Sequence, residues 1–351
     1  MSKEQQLWQA STEGNLEIVK TLLGDPTVDV NWQDEEIGRT PLLRACGHGN
    51  LLVAEVLLNH PQIQPDLQQK EGATPLSIAS QEGHYEVVLR LLRDPRVDPS
   101  KPDSHGRTPL RMACLEGHSR VISLLLTDPR VDPNSTSTEG VSPLYTVCEK
   151  AHIEALVLML ADPRVDPNKP KANQTSPLWF ATQQGHLEVV RHLLASGKEV
   201  NTKLVSTFNS RTAAEQGRAM AIAHQDPDDS DEAYDQSKIN GPRCADLIDE
   251  YDKDPEATRV RLRRLPGLRE YYVGYIFSLV VFFSDGFLTL KPPADDEFSQ
   301  KVGRFFNLAS RLPMDLQMVL CSRMFGSPRD VILSKDSERG FRWLARTTLW
   351  E

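Results

Sequence analysis

The sequence predicts an all-α fold: a solenoid of stacked helix pairs joined by hairpin-like turns, followed by a small helical domain. Three observations carry this. A short signature returns every 34 residues through the first two thirds of the chain. Apolar residues after each copy fall in pairs spaced for one face of a helix. From Ile239 onward the period is lost while apolar residues keep helical spacing. The length of 351 residues allows about two domains. Apolar residues at 39% and charged residues at 25% exclude whole-chain disorder.

The elements follow in order. A worn first copy, Leu7 to Asn31, carries Ile18/Val19 and Leu22/Leu23. The signature then reads Gly38-Arg-Thr-Pro-Leu42, Gly72-Ala-Thr-Pro-Leu76, Gly106-Arg-Thr-Pro-Leu110, Gly140-Val-Ser-Pro-Leu144 and Gln174-Thr-Ser-Pro-Leu178. Repeats thus begin near residues 4, 38, 72, 106, 140 and 174, with a partial cap over 208–225, so the array spans 1–225. Thr40, Thr74 and Thr108 are N-cap residues, and the following Pro suits the first helical position, where no N–H is needed. Gly38, Gly72, Gly106 and Gly140 suit tight turns, and Gly49, Gly83, Gly117 and Gly185 break the first helix before the second. One such unit cannot bury its apolar stripe, whereas stacked neighbours can.

These motifs resemble those of the ankyrin repeat family over roughly residues 5–202. Two departures stand out. The His that follows Thr-Pro-Leu in the family is replaced by Leu43, Ser77, Arg111, Tyr145 and Trp179, which leaves the family's usual inter-repeat hydrogen bond there open. The period is 34 rather than 33, through an extra residue in the helix-exit loop. The resemblance implies a non-catalytic scaffold that binds a protein partner on a concave face made by hairpin tips and first helices. Carried over by position, the partner-binding candidates are Glu13, Trp32, Glu35, His48, Gln69, Glu82, Asp103, Glu116, Lys150, Lys171, Trp179 and Gln184. Trp32 and Trp179 are the expected aromatic anchors.

Three further rows recur. The exit loops align Asp94/Asp128/Asp162 with Arg96/Arg130/Arg164, read as Asp-Pro helix termination plus surface ion pairs between neighbouring repeats. Cys46, Cys114 and Cys148 share a position that Ser11, Ser80 and Thr182 also fill, which marks small core residues. His84, His118, His152 and His186 share another, expected to bond to turn backbone rather than to hold a metal.

Arg211-Thr-Ala-Ala-Glu215 reads as a capping box opening a seventh, partial unit. Residues 226–238, rich in Asp, read as an acidic linker. Residues 239–351 read as a separate helical domain, similar to uncharacterised tails on fungal and protist ankyrin proteins. Arg259, Arg261, Arg263 and Arg264 face an acidic run from Asp246 to Asp254. Leu312-Pro-Met-Asp-Leu-Gln-Met-Val-Leu320 resembles the opening of an F-box. That resemblance implies an alternative role as substrate adaptor of a cullin-type ubiquitin ligase, with Leu312, Pro313 and Leu316 docking.

Several classes are excluded on the sequence. A formal charge of −9 argues against a nucleic-acid footprint. Val273 to Phe283 is too short to span a bilayer, which takes about 20 residues. The odd count of 5 cysteines without metal-ligand spacing argues against a disulfide framework or a zinc site, so a cytoplasmic or nuclear location is expected. No phosphate-loop, dinucleotide, zinc-protease or nucleophile-elbow motif occurs. An enzyme seated in the tail is the third reading and the least supported. The expectation is a monomer with no cofactor, no metal, no small-molecule substrate and an unidentified protein partner.

Overall fold

The computed structural model describes residues 1–222 and 236–269. Residues 1–193 with the described residues of 198–249 form one compact unit, and 194–197 belong with the described residues from 250 onward.

Six helix pairs make up the first unit. They are α1 (Lys3–Glu13) with α2 (Leu16–Leu23), α3 (Pro41–Gly47) with α4 (Leu51–Leu58), and α5 (Pro75–Gln81) with α6 (Tyr85–Leu92). Then come α7 (Pro109–Glu116) with α8 (Ser119–Thr127), α9 (Pro143–Lys150) with α10 (Ile153–Ala161), and α11 (Pro177–Gln183) with α12 (Leu187–Ala195). First helices pack in a row from α1 through α3, α5, α7, α9 and α11 to α13 (Ala213–Ile222), and second helices make a parallel layer. Among the described residues there are no strands, so the predicted all-α solenoid is what forms.

The signature explains each pair. Thr40, Thr74, Thr108, Ser142 and Ser176 cap their helices by accepting the N–H three residues on, each with Pro in the first turn. The Leu of every copy (Leu7, Leu42, Leu76, Leu110, Leu144 and Leu178) is at most 1% exposed. Burying such a side chain contributes about 1.5–3 kcal/mol. In the second layer Val19, Ala54, Val88, Ile122, Leu156 and Val190 are equally buried. Cys46, Cys114 and Cys148 sit in the core, where burial pushes their thiols above the ordinary range.

Between repeats the contacts are backbone-mediated and periodic. Each hairpin tip donates one N–H to the tip before it: Lys70 to Ile37 O, Ser104 to Glu71 O, Thr138 to His105 O, Ala172 to Glu139 O and Thr207 to Asn173 O, at 2.9–3.2 Å. The tip glycine is needed twice over. Gly72 has φ +82°, and a Cβ there would lie 2.6 Å from Ser104 N. Along the helix-turn edge His84, His118, His152 and His186 bond through Nε2 to carbonyls of the preceding repeat at 2.8–3.2 Å. Asn50 does the same to Ser11 O and Thr12 O. The turn role expected for these histidines is present, and it joins neighbouring repeats.

The exit loops correct one expectation. The Asp–Arg pairs are not between repeats. Arg96 pairs with Asp94, Arg130 with Asp128 and Arg164 with Asp162, each at 2.7 Å within its own loop. The fork of each Arg then reaches back to carbonyls of the previous repeat, as from Arg96 to Leu58 O (2.7 Å) and from Arg164 to Leu126 O (2.8 Å). The physical reason is that the orphan carbonyls at a helix end need donors, and Arg has five.

The seventh unit is built as read up to its first helix. Glu215 Oε2 accepts from Thr212 N, and Thr212 Oγ1 accepts from Glu215 N, which closes the capping box. The helix α14 (Gln236–Lys253) begins earlier than the expected boundary at 239 and carries Pro242 inside it. Its Gly241 lies against Gly217 of α13, so close that a Cβ on Gly217 would sit 2.4 Å from Gly241 O. Residues to Asp249 therefore belong with the array, although the sequence assigns them to the tail. In the second unit, α15 (Pro255–Arg263) follows. Its arginines are largely paired: Arg261 with Glu250, and Arg259 with Glu256 and the Tyr251 hydroxyl.

Candidate functional site

The tips and first helices share one side of the array, and two adjoining concavities open there. The first is a groove across repeats two to four, with a volume of about 550 Å³. Leu43, Ile78, Met112 and Leu115 supply its apolar part, while Arg39, Arg44, Arg107, His48, Glu71 and Glu82 supply its charge. The second is a cleft at the first repeat, also about 550 Å³, between Trp8 and Trp32 with Asp34, Glu35 and Glu36 at its edge. Arg39 and Arg44 line both.

The sequence folds this way locally for definite reasons. Asp34 closes the second tip by accepting from the N–H groups of Glu36, Ile37 and Arg39. Burial opposes its ionisation, yet these donors hold its carboxyl below the usual range. Asp103 does the same two repeats on, taking the N–H groups of His105 and Arg107 and pairing with Arg107 Nε at 2.6 Å. Gln69 Oε1 accepts from Arg39 Nε. Arg44 lies over the Trp8 ring, 4.5 Å from its centre, and donates Nε to Thr12 Oγ1 at 3.0 Å. Burial first, and then the Arg39 guanidinium, lower Arg44 from its ordinary value. Burial first, and then Arg44, lower His48.

The predicted site residues divide. The groove brings together His48, Gln69, Glu82 and Asp103, and the cleft brings together Trp32 and Glu35. Glu13, Glu116, Lys150 and Gln184 are exposed along the first-helix row outside both concavities, and Lys171 pairs with Glu139 at 3.3 Å. Gln69 and Asp103 are buried braces of their tips rather than open contacts. Trp179 is not an anchor: it is 2% exposed, and its indole N–H donates to Arg211 O at 3.1 Å. The position after Thr-Pro-Leu points between repeats, so a ring there is covered by the next unit. Leu312, Pro313 and Leu316 lie outside the described residues.

Sequence reasoning missed Trp8. It occupies the same slot as Trp179, and its indole donates to Arg39 O at 3.1 Å. Tyr145, in that slot too, has its hydroxyl 3.3 Å from Thr175 Oγ1. The inter-repeat bond that the missing His left open is thus supplied by aromatic N–H and O–H groups in repeats one, five and six. The signal was present: Trp8 and Trp179 fill one slot, and their acceptors Arg39 O and Arg211 O stand at one position of the following unit. Arg39, Arg44 and Arg107 were also missed, although Arg39 and Arg107 fill one motif position two repeats apart.

A family model described as ankyrin repeats matches three times, over residues 7–103, 64–137 and 110–203. The chain belongs to the ankyrin repeat family. Its structure is similar to the crystal structure of the ankyrin repeat domain of Bcl-3, described as a unique member of the IkappaB protein family. The TM-score is 0.54 at 22% identity, over 60% of this chain and 92% of that one, which is a likeness of fold. No curated protein matches. An ankyrin array is a protein-interaction module. Among the described residues no group of His, Cys, Asp or Glu is placed to hold a metal, and no helix is long and apolar enough to cross a membrane.

Proposed function

We propose that this chain is a non-catalytic scaffold that holds a partner protein against the face carrying the tips and first helices. The observation that supports it is the junction of groove and cleft at Arg39 and Arg44. It gives one side of the array a continuous concavity with an apolar floor, two tryptophans and charged walls. The four described cysteines are free and buried, which suits a reducing compartment such as the cytoplasm or nucleus. Cys244 is held back from ionising by burial, its thiol pushed up to about 12, and none of the four is an exposed nucleophile.

A second reading, adaptor of a cullin-type ligase, rests on the F-box-like segment from Leu312 to Leu320. One experiment separates the two: affinity capture with mass spectrometry on the full chain, its Ile78→Arg variant and its Leu316→Arg variant. The scaffold reading expects a partner set lost with Ile78→Arg and kept with Leu316→Arg. Loss of cullin and its adaptor with Leu316→Arg alone would make the ligase reading the better one.

A further inference from the structure

The edge of the array made by the exit loops is a hydrogen-bonded ladder, and one of its rungs is of a different kind. Between repeats one and two, four and five, and five and six, an Asn holds the following loop with both ends of its amide. Asn31 Oδ1 accepts from Gln64 N while its Nδ2 donates to Gln62 O. Asn134 does the same with Asp166 N and Arg164 O, and Asn168 with Asn201 N and Glu199 O, all at 2.7–2.9 Å. In each of these rungs the carbonyl stands two residues before the N–H. Between repeats three and four Ser100 keeps the donating half, from Oγ to Arg130 O at 2.9 Å.

Asp66 fills the rung between repeats two and three. Its Oδ2 accepts from Asp98 N at 2.8 Å, as the Asn oxygens do. By the same register the carbonyl two residues earlier, Arg96 O, is the one that a donor meets in the other rungs. An ionised carboxylate has no hydrogen to give. Asp66 Oδ1 is accordingly buried with no hydrogen-bond partner, which costs the junction. The charged groups nearby leave it so. Lys101 gives its Nζ to the Asp66 main-chain carbonyl at 2.9 Å. Arg130 is engaged by Asp128, Val97 O and Leu92 O. Asp94, paired with Arg96, and Asp98 add negative charge. Burial outweighs the Asp98 N–H and the field of Lys101, and raises the Asp66 carboxyl from its ordinary value.

We infer that Asp66 is a proton-operated clasp between repeats two and three: one proton taken up on Oδ1 turns the carboxyl into the donor–acceptor pair that Asn presents, and the new O–H closes on Arg96 O. Ionised, the rung holds by one bond; protonated, it holds by two. The proton comes from solvent, and no other covalent bond changes. A carboxyl raised in the folded state adds stability that is complete below the unfolded value of 3.8 and is lost as pH climbs through the folded one. The junction is therefore tighter in acid and looser at neutral pH. That is opposite in sign to Asp94, whose carboxyl is lowered by its Arg96 bond. The groove crosses repeats two to four, so the junction that responds is one the groove spans.

The test is amide hydrogen exchange on the full chain, read by mass spectrometry between pH 7 and pH 4. The chain supplies its own control. Residues 94–101, the loop held by Asp66, and residues 162–169, the loop held by Asn134, differ only at Ser100 against Asn168. Both loops carry the same Asp–Arg pair, so its titration and the chemical exchange rate largely cancel in their ratio. In the wild type, protection of 94–101 relative to 162–169 should rise about three- to tenfold as pH falls, the equivalent of one hydrogen bond. Asp66→Asn should hold that ratio high and flat at every pH. Ser100→Asp, made in the natural chain, should carry the dependence one rung along, to residues 128–135. A wild-type ratio that ignores pH, or that falls in acid, overturns the clasp. So does a rise that Asp66→Asn reproduces, or a Ser100→Asp chain whose 128–135 loop shows no pH dependence.

Discussion

Repeats two to four and repeats one, five and six fill the slot after Thr-Pro-Leu in opposite ways. At the ends Trp8, Tyr145 and Trp179 reach across to the next repeat and hydrogen-bond there. In the middle Leu43 is apolar, Ser77 turns back onto Thr74 of its own helix, and Arg111 leaves its Nε unpaired. The groove lies across those same middle repeats. The difference teaches that this slot is used unevenly along the array: at the ends it ties neighbouring repeats together by a side-chain hydrogen bond, and in the middle it does not. Local rules are broken most readily where a surface has work to do.

The comparison breaks most severely at an end. Trp179→Ala removes a buried ring and one of the two donors to Arg211 O, the other being Ser206 N, so a loss of about 3–5 kcal/mol is expected from the lost ring. Urea unfolding should then show an early transition from the last repeats. Its absence would mean that α13 is held by other contacts. In the middle the sign reverses. Arg111→Met replaces a desolvated cation by an apolar chain of similar length and should stabilise the array by about 1 kcal/mol. A thermal melt of the variant beside the wild type checks it. A fall in melting temperature would show that Arg111 is structural.

A third substitution sharpens the picture on the opposite edge. Asn31, Asn134 and Asn168 each accept an N–H from the next exit loop through Oδ1 and donate Nδ2 to a carbonyl there. Asp66 occupies the equivalent place: its Oδ2 accepts from Asp98 N, but its Oδ1 is buried with no partner. Burial raises its pKa. A carboxyl whose folded pKa is raised loses stability as pH climbs through the interval above its unfolded value, so at neutral pH it opposes folding. Asp66→Asn should therefore stabilise by about 1 kcal/mol in a denaturant titration at pH 7. The gain should shrink toward pH 4.

The smallest effect is one of pH. The Arg96 hydrogen bond holds Asp94 below the usual carboxylate range. A depressed folded pKa stabilises above the unfolded value near 3.8 and is lost as pH falls through the folded one. Unfolding midpoints of wild type and Asp94→Asn should differ at pH 6 and converge well below pH 3. A constant difference across that range would assign the effect to geometry rather than charge.

The array was legible because its determinants repeat. A capping Thr or Ser, a Pro and a buried Leu at one spacing fix the helix start and its inward face, and five copies leave no ambiguity. The groove was only partly legible. His48 and Glu82 follow from alignment, since a position on the first helix carries its exposure from copy to copy. Trp179 misled because composition marks an aromatic residue without saying whether its slot faces solvent or the next repeat. Gln69 and Asp103 were placed on the right tips, but the Gln69 side-chain carbonyl accepts from Arg39 of the preceding repeat and the Asp103 carboxylate closes its own tip, so neither is an open contact. Arg44 was invisible for a related reason: its place over the Trp8 ring and its bond to Thr12 join two repeats through a single side chain, which leaves no pattern in a sequence.

The tip row carries a last consequence. In every copy the donor is the N–H at one motif position and the acceptor is the C=O at another, from Lys70 with Ile37 to Ala172 with Glu139. A duplicated unit inserted between any two would find both partners waiting, and a deleted one would leave none behind. So far as the tip row is concerned, the length of the array is therefore adjustable in whole repeats.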